Sequence, residues 1–81
     1  MTYLAWYDDD RKKEAQAKVD EAIERFIERY GMEPNICLVN EEDQLRHERV
    51  VIKPVHRVAR HTFWIGYEEG LVVGLEPAQA A

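Results

Sequence analysis

The sequence is short of cysteine, of long apolar runs and of positive charge, and each shortage excludes something. A single cysteine, Cys37, in 81 residues cannot close an internal disulfide. It lies in an apolar run with no activating base adjacent in sequence. It therefore reads as a buried thiol in a reducing cytoplasm rather than as a nucleophile. No apolar run approaches the roughly eighteen residues that a membrane span needs. Residues 2–7 are too few, and too polar on their far side, for a signal peptide. Basic residues are outnumbered, 11 Lys and Arg against 16 Asp and Glu. The formal net charge of −5 argues against nonspecific nucleic-acid binding by the whole molecule. Internal repeats and low-complexity tracts are absent. The length makes one domain, residues 1–76, with PAQAA at 77–81 as a flexible tail that has nothing to bury.

Charge is plentiful but unevenly spread. Between Gln44 and His61 stand Arg46, Arg49, Lys53, Arg57 and Arg60 against one acid, Glu48, and His47, His56 and His61 share the stretch. That segment is formally +4 and the remainder −9. The chain is electrically polarised.

Hydropathy patterning gives the elements. TYLAWY at 2–7 reads as an aromatic-rich strand, with Tyr3, Ala5 and Tyr7 facing one way and Leu4 and Trp6 the other. Both faces are apolar, as in a sheet covered on both sides. Ala15, Val19, Ala22, Ile23, Phe26, Ile27 and Tyr30 recur at three-and-four spacing, which predicts a helix over 11–30 ended by Gly31 and Pro34. NICLVN at 35–40 reads as a buried central strand parallel to the first, in a right-handed βαβ unit. The polar loop 41–48 is too short for another helical crossover, so the next strand, about 49–54, is expected to return antiparallel. Pro54 marks it as an edge or a bulge. TFWIGY at 62–67 is a further strand, and EEG then LVVGL suggest a hairpin to a fifth.

Two constellations carry chemistry. Asp8, Asp9 and Asp10 stand where the first strand ends and the helix begins. The loop holding Glu41, Glu42 and Asp43 starts at the same rim, where ligand sites of α/β sheets gather. Such oxygen ligands suit magnesium or manganese. The aspartates equally suit the start of a helix, where caps and the dipole favour acids by roughly 0.3–2 kcal/mol. The second constellation is the basic strip of Arg46, Arg49, Lys53, Arg57 and Arg60, near Phe63, Trp64 and Tyr67. It fits single-stranded nucleic acid, an edge strand guarded against aggregation, or the acidic helix of another subunit. The histidine spacings match no zinc signature.

The stretch YLAWYDDDRKKEAQAKVDEAIERFIERYG is similar to the start of the small CRISPR-associated endonucleases of spacer acquisition. The resemblance spans about the first 31 residues and implies a metal held by Asp8 at a dimer interface. It also implies a second long helix in a ferredoxin-like fold, and nothing after Gly31 offers one.

The sequence therefore points to a small α/β (α+β) fold, a βαβ unit extended by antiparallel strands, with one helix on one face of a mixed sheet. One helix cannot cover both faces. The surplus apolar surface, with Leu4, Trp6 and Trp64 as interface residues, implies a homo-oligomer packed through the open face or an edge strand. The expected function is a non-enzymatic binding or assembly module without a cofactor, recognising itself and a second protein or an anionic ligand. The alternative is a phosphodiesterase or nuclease using magnesium or manganese on Asp8, Asp9, Asp10, Glu41 and Asp43, with the basic strip as substrate track.

Overall fold

The computed structural model describes residues 2–74. Its elements run β1 (Thr2–Tyr7), α1 (Ala15–Tyr30), β2 (Ile36–Val39), a 3-10 turn (Glu41–Asp43), β3 (Val51–Pro54) and β4 (Thr62–Tyr67). The four strands form one mixed sheet in the order β1-β4-β2-β3, and α1 packs on one face, chiefly over β4. This is the small α+β fold, βαβββ, that the patterning predicts.

The stripe on α1 builds the core. Val19, Ala22, Ile23 and Phe26 are fully buried against Cys37 and Val39 of β2, Phe63 and Ile65 of β4, and Val50. Gly31 ends the helix in the left-handed conformation (φ 70°), its N–H donating to the Ile27 carbonyl at 2.8 Å.

The helix starts four residues later than the sequence predicts, and the aspartates explain why. The Asp10 N–H donates to Asp8 Oδ1 (3.0 Å) and the Lys12 N–H to Asp10 Oδ1 (2.9 Å). Short acidic side chains that bond the backbone two residues on hold it in turns, in competition with helix. The N-cap is Glu14, which makes no side-chain capping bond. None of the three aspartates caps α1.

Strands β1 and β2 do run in the same direction, but β4 lies between them, antiparallel to both. The antiparallel return expected of the third strand does not occur. β3 pairs parallel with β2, Ile36 opposite Val51 through Val39 opposite Pro54. No helix is needed for that crossover. Ten residues of extended chain can span about 33 Å, far more than the length of a four-residue strand. Segment 41–50 makes the return journey, with Leu45 packed against the core. β3 is an edge strand closed by Pro54, as its proline implies.

The hairpin to a fifth strand does not occur among the described residues: residues 71–74 form no strand, and Leu75, the last of the expected strand, lies outside them. The buried Asn35 amide takes the backbone groups instead. Asn35 Oδ1 accepts from the Glu68 N–H (2.8 Å), and Nδ2 donates to the Glu68 and Leu71 carbonyls (2.8 and 3.0 Å). Asn40 works likewise at the other end of β2, accepting from the Glu42 N–H and donating to the Val58 carbonyl (2.8 and 2.7 Å).

Gly66 is required by contact. A Cβ there would stand 2.3 Å from the Tyr3 ring and 2.5 Å from the Thr2 carbonyl oxygen. Gly66→Ala is expected to destabilise by about 2–3 kcal/mol in urea melts. Tyr3→Ala should not fully rescue it, because the backbone oxygen remains. Phe26→Ala should cost about 3–5 kcal/mol, and exposed Glu24→Ala, as control, far less.

Candidate functional site

The acidic rim assembles around the backbone of one residue, His61. The Asp8 N–H donates to the His61 carbonyl (3.0 Å), and the His61 N–H donates to Asp43 Oδ2 (2.7 Å). The parallel run of β1 and β2 thus brings Asp8 and Asp43 to the same edge, joined by the start of β4. His61 is held at φ 65°, a left-handed conformation that costs a residue bearing a Cβ roughly 1–2 kcal/mol.

These carboxylates already have partners. Asp8 Oδ2 lies 3.2 Å from Lys13 Nζ, which also bonds Glu21 at 2.6 Å. Asp43 Oδ1 receives Arg60 Nε at 3.0 Å. The Tyr7 hydroxyl donates to Asp9 (3.2 Å), and Glu41 lies 3.4 Å from His56. The Asp10 N–H holds the Asp8 carboxyl below its ordinary pKa, with Lys13 adding to the effect and burial opposing it. Among the described residues, no group of three or more His, Cys, Asp or Glu side chains is placed to hold a metal ion.

The basic strip is divided rather than continuous. Arg49 reaches Glu24 and Glu33 (3.7 and 3.4 Å), and Arg60 reaches Glu42 and Asp43. Arg49 thus meets the acidic helix of its own chain through Glu24, and Arg60 meets the acidic 3-10 turn. Arg46, Lys53 and Arg57 make no ion pair among the described residues, and Arg46 accepts a bond from Gln16 at its carbonyl (2.9 Å).

A histidine–aspartate pair, 27 residues apart in sequence, escaped the sequence reading because no local pattern announces it. His47 Nε2 bonds Asp20 Oδ1 at 2.7 Å, while Nδ1 accepts the Arg49 N–H at 3.1 Å. The second bond places the proton on Nε2. Both nitrogens are engaged, so the ring has no free lone pair for a substrate proton. It fastens segment 44–50 to α1. Cys37, fully buried, has its thiol pushed up to about 12 by desolvation and is inert.

The three interface residues do not share a face. Leu4 pairs across from Ile65 and Trp6 from Phe63, so both point to the helix side and pack against the core. Trp64 pairs across from Ala5 and Leu38 and points to the open side, where it is 40% exposed. The reason is strand parity: residues directly opposite share a face, and neighbours along a strand do not.

No family model matches the chain, and no curated protein or solved structure is significantly similar to it. The second long helix implied by the resemblance of residues 3–31 does not occur among the described residues. Asp8, the residue to which that resemblance gives the metal, is tied to Lys13 and the Asp10 N–H.

The depressed Asp8 pKa has a consequence for acid stability. The carboxylate contributes stability that is present above its ordinary pKa and is lost as pH falls through the lowered value. Asp8→Asn keeps an oxygen for the Asp10 N–H but carries no charge, so thermal melts of this variant should lose that acid dependence. Carbon-13 NMR should find Asp8 titrating below the ordinary aspartate range; an ordinary value would refute the assignment.

Proposed function

We propose that the protein is a small non-enzymatic binding or assembly module that acts as a homo-oligomer. The observation that carries this reading is the part of the sheet face opposite α1 that stays exposed, while Ile36 and Val51 on that same face are buried. Ala5, Trp64 and Leu38 form a row across β1, β4 and β2, with Lys53 at its end and Tyr7, 62% exposed, beside it. An indole such as Trp64 in that setting buries large apolar area while keeping a polar tip for a partner, which is why such rings are enriched at interfaces.

The satisfied state of the polar clusters supports the same reading. The carboxylates of the rim and the His47 ring are engaged within the chain and the thiol is buried, whereas Trp64 stands exposed. Function then resides in surface complementarity rather than in a reacting group.

Sedimentation equilibrium at micromolar concentration is expected to show a dimer or larger assembly. A parent protein that stays monomeric throughout and binds no exposed-patch dye would overturn the proposal.

A further inference from the structure

The two edges of the sheet are built differently. β3 is four residues long and ends in Lys53 and Pro54, a cation and a residue without an N–H, which discourage pairing with another chain. β1 is six residues long and carries neither charge nor proline. Long, uncharged edges are templates for a further strand.

The hydrogen-bond phase of β1 identifies the groups on offer. Residues of β1 and β4 pair with numbers that advance in opposite directions, Trp6 with Phe63 and Leu4 with Ile65. The Asp8 N–H to His61 carbonyl bond continues that register by one hydrogen-bonded position. Bonded and non-bonded pairs alternate in an antiparallel ladder, so even-numbered residues of β1 bond β4. Ala5 therefore directs its N–H and C=O away from the sheet, and its side chain is small and exposed.

Beside this edge, on the helix side, lies a groove of about 460 Å³ lined by Leu4, Ala5, Trp6, Arg25, Glu28 and Arg29. The Trp6 Nε1 is buried there without a hydrogen-bond partner. The Arg25 guanidinium sits over the Trp6 ring, 5.4 Å from its centroid.

We infer that β1 pairs antiparallel with β1 of a second copy, about a two-fold axis at Ala5, to make one continuous eight-stranded sheet. This rests on the assembly reading above and places the contact between copies at the edge of the sheet and the helix side rather than on the open face. The register is self-complementary: Leu4 of each copy stands opposite Trp6 of the other and fills the groove on the helix side. The charges agree with it. Two strand residues cover the rise of about four to five helix residues, and Trp6 lies under Arg25. Ala5 is thus level with the helix between Arg25 and Glu28. A two-fold axis there sets Arg25 of one copy opposite Glu28 of the other, twice over. Glu28 already reaches Arg25 of its own chain at 3.6 Å, an exposed pair that the partner can share.

Amide exchange by NMR together with sedimentation tests this, using the full chain. The Ala5 N–H has no acceptor in its own sheet, so its protection reports the second copy directly. It should be protected in the oligomer and exchange freely on dilution. Ala5→Pro should weaken association at least about tenfold, since it removes the outward N–H without touching a bond to β4. Arg25→Glu should also weaken it, and adding Glu28→Arg should restore it. These helix variants are exposed and keep the test valid if Ala5→Pro fails to fold. An oligomer whose Ala5 amide exchanges freely, or that Trp64→Lys dissolves while Arg25→Glu does not, would overturn edge pairing and leave the assembly reading standing. A monomeric parent overturns both.

Discussion

The sheet depends on β4. Among the described residues β1 has no other hydrogen-bonded neighbour, and β1 and β2 are joined only through it. The last strand among the described residues must therefore enter the middle of the sheet, with Thr2 meeting Tyr67. Closing so long a loop costs entropy before any ladder bond forms. The reward is concentrated in Phe63 and Ile65, which meet the α1 stripe, and in Gly66, which lets the Tyr3 ring lie across the strand. The rim follows from the same insertion, because His61 at the mouth of β4 is what links Asp8 to Asp43.

Folding offsets part of the polarity of the sequence. The basic stretch returns along an acidic helix and an acidic turn, and Arg49, Arg60, His47 and His56 each find a carboxylate. The more exposed of these pairs, Arg49–Glu24 and His56–Glu41, contribute only about 0–1 kcal/mol each. Their effect is more on position than on stability: they fix where an irregular crossover lies. A phosphate track would need those cations side by side and facing solvent, and two of the five arginines and lysines are instead turned onto their own chain.

The helix stripe was legible because burial on one side writes a period into sequence, and the central and aromatic strands because burial on both faces leaves short unbroken apolar runs. Direction and contact leave no such mark. The parallel course of β3 depended on what an extended segment can span, not on its composition. The want of a fifth strand among the described residues depended on Asn35, visible as a bracket of β2 but silent about the loop it would bind. The aspartates showed the limit most plainly. Their capping role and their turn-forming role use the same oxygen and the same spacing, and only the backbone decides between them. At the site, the shared rim was readable from strand direction, while the pairing of Asp20 with His47 was not readable at all. The faces of Leu4, Trp6 and Trp64 were decided by register between β1 and β4, which a single strand cannot reveal.

Cys37 ends up within the sheet, between Ile65 and Ile52, in the same buried cluster as Phe26 and Ile23 of α1. A thiol so placed reacts with an alkylating reagent only when the sheet parts from the helix, because the closed form gives neither access nor thiolate. Its modification rate is then a measure of how often the core opens, in a protein with no second thiol to confuse the signal. The side chain that takes no part in chemistry is thus an intrinsic gauge of the molecule's breathing, readable in a mixture and without any label added to the chain.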